Sequence, residues 1–275
     1  MDTVHLQSPG PSEQTHAART RPRHPLAVRP DPASGGSALA VRTDPSLVAR
    51  ERWLPLCQVV SVAGLTAFVL AVFALHGVRA DLDPAERTIS EYSLGSYGWL
   101  MRAAFLALGV STLSTATSLW LSGGSSRRRL VGLSLLAAVA VGLILDTGFN
   151  TDRLGVPETV DGAIHGVGTL VLALALPGAA LVFGSDFVRG SNSRAKGTWL
   201  LILGTAQLGA VVLFQMSPTT VRGWSERLVA VCAVLTLALL QNLSRASARP
   251  GPPETAPHHA RSDPLSELSA VSTGD

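Results

Sequence analysis

Residues 130–149 read LVGLSLLAAVAVGLILDTGF. Three arginines, Arg127, Arg128 and Arg129, precede the run, and its first charge is Asp146. A hydrocarbon core of about 30 Å takes about 20 mainly apolar residues in helical form, and this block has that length. Five more blocks of the same kind lie on either side of it, at about 53–76, 98–121, 163–183, 197–216 and 224–243. The expected fold is therefore all-α: a polytopic transmembrane bundle of six helices, in which the lipid replaces the solvent a soluble core would exclude.

Composition agrees. Of 275 residues, 47% are hydrophobic and 15% charged, against about 25% charged in an average soluble domain. Residues 1–52 are polar, rich in Pro, Ser, Thr and Arg, and carry neither helical nor strand periodicity. They read as a disordered cytoplasmic tail. Residues 53–243 form the six-span domain, and residues 244–275 read as a second disordered cytoplasmic tail. The first 30 residues hold no apolar core of a signal peptide, so the first span is expected to serve as the targeting anchor. Cys57 and Cys232 fall in different spans near opposite membrane faces, and they read as small packing residues rather than a disulfide.

Orientation follows from the basic residues. With both termini inside, sixteen of the 22 Lys and Arg fall on the cytoplasmic side, and six (Arg79, Arg87, Arg102, Arg153, Arg222 and Arg227) on the other. The expected location is the cell membrane, a bacterial inner membrane, with both termini cytoplasmic. The basic residues flank helices and are not interleaved with aromatics, so nucleic acid is not expected as a partner. The bilayer is, together with a lipid or small-molecule ligand at the outer face.

The carboxylates sort more sharply. Asp81, Asp83, Glu86, Glu91, Asp146, Asp152, Glu158, Asp161 and Glu226 all map to the outer side, as do His76 and His165. Ionisable groups at membrane depth are costly and normally face a bundle interior or a cavity. The candidate polar site comprises Ser90, Glu91, Asp146, Asp152, His165, Glu226 and Arg227. Structural readings stand beside it. Asp161 caps a helix start and shares a face with His165 one turn on. Arg227 forms an ion pair with Glu91 or Asp152. Asp81, Asp83 and Glu86 make a solvated acidic loop. No HExxH or other tight ligand spacing is present, so no metal is assigned and no cofactor is indicated.

Small residues in 162–168 (GAIHGVG) and 204–209 (GTAQLG) are expected to bring helices close, and Gln207 to bond across an interface. Tyr97, Trp99 and Trp224 sit where interfacial aromatics anchor a bundle. Pro177 is expected to kink its helix. Gly95 and Gly98 turn the loop 88–97 into the second span.

Three pieces, ISEYSLGSYGWLM at 89–101, FNTD with GAIH at 149–152 and 162–165, and WSER at 224–227, together resemble the domain-of-unknown-function family 998. The resemblance spans about residues 53–243 and leaves out both tails; the long N-terminal one departs from the family's pattern. It implies a prokaryotic six-span integral membrane protein and favours Ser90, Glu91, Asp152, His165, Glu226 and Arg227. It implies no reaction. Three function classes remain. The first is a membrane protein with a binding or structural role. The second is an enzyme facing the extracytoplasmic side and acting on a lipid or isoprenoid-linked substrate, with Glu91, Asp152 or Glu226 as base and Arg227 on an anionic headgroup. The third is a small-molecule transporter. The last is disfavoured because the polar groups lie at one face, with only Ser, Thr and Gln in the inner halves.

Overall fold

The computed structural model describes residues 45–246, except residues 125, 154 and 191–193. Six helices follow one another: α1 (Pro45–Val78), α2 (Gly98–Ser122), α3 (Arg127–Gly148), α4 (Val160–Arg189), α5 (Arg194–Met216) and α6 (Arg222–Ala246). All six contain stretches long and apolar enough to cross a membrane, and no strand occurs among the described residues. The expected six-span all-α fold is the one observed. The expected tails lie outside the described residues at 1–44 and 247–275. Residues 45–52 and 244–246, expected from the sequence to be tail, belong to α1, whose membrane-length apolar part starts at Arg52, and to α6.

Local chemistry explains the ends. Ser126 Oγ accepts the Arg129 amide (3.1 Å) and caps α3. Thr159 Oγ1 does the same for α4 through the Gly162 amide (3.1 Å). Each satisfies one of the orphan donors of a helix start. α4 continues through Pro177 as one helix to Arg189. The missing amide bond is tolerated in a bundle, where neighbouring groups re-satisfy the freed carbonyl.

Each helix packs on the next in sequence, and α6 returns to touch α1, α2 and α4. The core runs through Leu136, Val139, Leu143, Leu176, Ala179, Phe183, Leu200, Leu237 and Leu240. Phe73, Leu70, Ile144, Leu174, Leu213 and Leu235 project outward, as they must in a solvent of lipid tails. Apolar burial gives no driving force between helices in lipid, so close packing and hydrogen bonds hold the bundle. Both are visible. α3 and α4 touch backbone to backbone at Gly142 and Gly168, where a Cβ on Gly168 would come 2.7 Å from the Gly142 carbonyl. Gly204 likewise lies against Pro177 and Ala180, whereas Gly166 and Gly209 face open space. Near the other end, Ser111 Oγ donates to the Ser61 carbonyl (2.5 Å), and Gln241 Nε2 donates to that carbonyl (3.0 Å) and to Ser111 Oγ (3.1 Å). These bonds tie α1, α2 and α6 together. Gln207, expected to bridge helices, is fully buried but has no hydrogen-bond partner among the described residues.

Candidate functional site

The 79–97 segment joins α1 to α2 and folds over one end of the bundle. Arg79 anchors it. Its guanidinium is buried, donates to both Asp81 oxygens (2.8 and 2.9 Å), and reaches the carbonyls of Leu94 (2.6 Å) and Ser96 (3.0 Å). The hydrogen bond to Asp81 raises the Arg79 pKa, and the same bond holds the Asp81 carboxyl below its ordinary value. Asp81 therefore stabilises the fold above its unfolded pKa, and that contribution is lost as pH falls through the lowered folded value. The acidic loop is thus not merely solvated. Within it, Ser90–Ser93 forms a 3-10 turn. The turn into α2 uses left-handed backbone at Gly95 (φ 70°) and also at Tyr97 (φ 64°), a position where a non-glycine residue costs about 1–2 kcal/mol. Gly98 serves differently: a Cβ there would strike the Ser93 carbonyl.

α6 receives this lid. Gly223 donates its amide to the Ala85 carbonyl (2.8 Å). Glu226 accepts the Ile89 amide on Oε2 and the Ser90 hydroxyl on Oε1 (3.2 Å). Arg227 turns to the other flank of the helix. Its Nε donates to His76 Nε2 (2.9 Å), Nη1 to the carbonyls of Arg87 and Gly223 (2.9 Å each), and Nη2 to the Tyr92 hydroxyl (3.1 Å). Since Arg227 can only donate, His76 Nε2 is the acceptor. The ring hydrogen is therefore on Nδ1, which donates to the Val72 carbonyl (2.7 Å). His76 and Tyr92, outside the candidate site expected from the sequence, are thus the side-chain partners of Arg227.

The remaining candidates meet around α4. Asp152 accepts the Thr159 amide (2.7 Å) and hydroxyl (2.9 Å), with Gly162 packed so tightly on its carboxylate that no side chain fits. Asp146 and His165 are both buried; Asp146 Oδ1 lies 3.5 Å from His165 Nδ1 and accepts from Thr169 Oγ1 (3.4 Å). The closer neighbour of His165 Nδ1 is the Phe149 carbonyl, at 3.1 Å. Asp161 is exposed and stands apart from this group.

A cavity of about 290 Å³ opens between these pieces. Ser90, Glu91, Asp152, His165 and Glu226 line it, along with Thr169, Gln215 and Arg222. Five of the seven candidate residues thus share one wall system. Asp146 stands behind His165, and Arg227 faces a separate apolar groove between α1 and α6, lined by Phe68, Val72, His76 and Trp224. Among the described residues no ion pair joins Arg227 to Asp152. The Asp152 carboxylate holds Thr159, the residue that caps α4, and Glu91 is paired with Arg87 (3.3 Å) and the Thr88 amide (3.1 Å). Arg222, whose guanidinium stacks 4.4 Å above Phe214, is a cavity residue the sequence reading counted only as a charge. Its place one turn before Glu226 in RGWSER was the available signal. Among the described residues no three His, Cys, Asp or Glu side chains converge as metal ligands do.

The sequence model of one family, described as Protein of unknown function (DUF998), matches residues 62–241. No curated protein and no solved structure matches the chain.

Proposed function

The chain belongs to that family, Protein of unknown function (DUF998), whose description carries no activity, and from the geometry of its own residues we propose that it is a ligand-binding membrane protein. The binding site is the cavity beside His165, and it faces the extracytoplasmic side. One observation carries the reading. His165 Nε2 is buried on the wall of that cavity and has no hydrogen-bond partner among the described residues. A buried polar atom left unpaired costs about 1–3 kcal/mol. A fold that keeps such an atom at a cavity wall has a use for it, and a ligand donor is the simplest one. The side is argued from the excess of Lys and Arg at the opposite end of the bundle.

Accessibility tests this directly. Gly166 lines the cavity, and its Cβ position is open. In a Cys57→Ala, Cys232→Ala background, a Gly166→Cys variant is expected to react with a membrane-impermeant maleimide added to intact spheroplasts. Reaction only after permeabilisation would overturn the orientation. No reaction in either state would overturn an accessible site.

A second reading, an enzyme acting on a lipid or isoprenoid-linked substrate, draws on the same imidazole. Two acceptors, the Phe149 carbonyl and Asp146 Oδ1, face Nδ1. They keep the ring hydrogen there and leave Nε2, on a residue of the cavity lining, with its lone pair unused, the protonation state a general base requires. Under this reading the protein converts a component of a lipid extract in liposomes, and a His165→Asn variant does not.

A further inference from the structure

We propose that the cavity takes the head of a zwitterionic amphiphile, with an N–H-bearing ammonium lying between Glu226 and His165 and an anionic group on Arg222. The inference rests on the binding reading above and names the class of ligand.

The groups left without a full set of partners in the cavity lining are unlike one another, and they are spaced. His165 is 3% exposed. Its Nδ1 carries the hydrogen, for the reason given above, so Nε2 offers a lone pair and asks for a donor. Glu226 accepts from the Ile89 amide and the Ser90 hydroxyl but makes no ion pair among the described residues. The other two carboxylates of the lining are occupied, Glu91 by Arg87 and Thr88, and Asp152 by Thr159. Glu226 is therefore the carboxylate available to a cation. An ammonium suits the pair because it holds several N–H donors on one positive centre, enough for a carboxylate oxygen and an imidazole nitrogen at once.

Arg222 supplies the opposite pole. Its guanidinium has no hydrogen bond or ion pair among the described residues and rests on the face of Phe214. Arg222 and Glu226 stand one turn apart on α6 and both line the cavity. At this spacing they could have paired with each other, yet the Phe214 stack holds the guanidinium away. The cavity thus keeps one carboxylate and one guanidinium about a helical turn apart, and neither makes an ion pair among the described residues. A ligand bearing both charges neutralises both.

The rest of the lining is apolar: Leu170, Ala173, Val211, Phe214 and Val229. Leu170 is half exposed and also lines a shallow groove with Leu135, Val171 and Leu174 on the outer surface of α3 and α4. The apolar wall is thus continuous with the surface that meets lipid tails, so the ligand's own apolar part has a way out into the bilayer.

The test uses the full chain in nanodiscs of phosphatidylcholine, whose quaternary head has no N–H to donate. Replacing part of the lipid with phosphatidylethanolamine is expected to raise the unfolding temperature, whereas the same fraction of phosphatidylglycerol is not. Glu226→Gln and Arg222→Gln each weaken the effect ~tenfold or more. Gly166→Leu fills the cavity from an open position and abolishes the effect even if the charge variants fold poorly. Phosphoethanolamine added in solution separates the two sources of this head: stabilisation by it but not by the lipid assigns a soluble zwitterion of the same chemistry. No stabilisation by either, or equal stabilisation by phosphatidylglycerol, overturns the proposal. A Gly166→Cys variant that labels from outside while every zwitterion fails would refute this inference and leave the binding reading standing.

Discussion

Replacing Arg227 by alanine is expected to destabilise the protein by about 3–5 kcal/mol. The side chain binds three separate pieces of chain to α6: His76 at the end of α1, the Arg87 carbonyl in the lid, and the Tyr92 hydroxyl in the 3-10 turn. Hydrogen bonds from a charged donor contribute about 1.5–3 kcal/mol each, and bonds within one network do not add fully. Removing the guanidinium also leaves His76 Nε2 and the buried Tyr92 hydroxyl without their donor. Arg227→Lys is expected to recover less than half of the loss, because one ammonium cannot reach acceptors spread around a planar fork. Tyr92→Phe removes a single partner and is expected to cost about 1 kcal/mol. Unfolding in mixed detergent, followed by helical signal, measures all three. An Arg227→Ala variant as stable as Tyr92→Phe would show that the lid is not held this way.

The second large effect is a contrast between glycines two residues apart. Gly168→Ala places a Cβ 2.5 Å from Asp146 Oδ1 and 2.7 Å from the Gly142 carbonyl. Neither atom is the free end of a long flexible chain, so α3 and α4 must separate, and overpacking of this kind costs about 1–3 kcal/mol. Gly168→Leu is expected to cost more, enough to lower yield. Gly166→Ala meets nothing within 4 Å and is expected to be neutral or slightly stabilising, since alanine is better by about 1 kcal/mol inside a helix. Equal effects at the two positions would contradict the backbone contact between α3 and α4.

The two predictions also mark the limit of what the sequence could say. Span positions were legible because a hydrocarbon core sets a length, and 130–149 states that length in residues alone. Which face of a span points inward was not legible. The helices are apolar on every side, so no stripe marks the interior. Hence Gly166 and Gly168 look equivalent in GAIHGVG, and only packing separates an open position from a backbone contact. The candidate site was readable as a set of chemical types at one end of the bundle, and Ser90, Glu91, Asp152, His165 and Glu226 do line one cavity. Arg227 went to the other flank because adjacent positions on a helix point about 100° apart, a fact that WSER conceals when read as a motif. Asp152 and Arg79 were opaque for a different reason. Besides the side chains of Thr159 and Asp81, their partners are a backbone amide seven residues on and two loop carbonyls, and backbone groups leave no trace in composition.

The central claim is that His165 serves a ligand rather than the fold. The thermal and chemical unfolding of His165→Asn in nanodiscs tests it most directly. Asparagine can still offer an N–H toward the Phe149 carbonyl, as Nδ1 does, but it has nothing in place of Nε2. The account predicts stability within about 1 kcal/mol of the unaltered protein, together with loss of the stabilisation by phosphatidylethanolamine. A loss of stability as large as that expected for Arg227→Ala would contradict it and make His165 one more member of the network that holds the bundle.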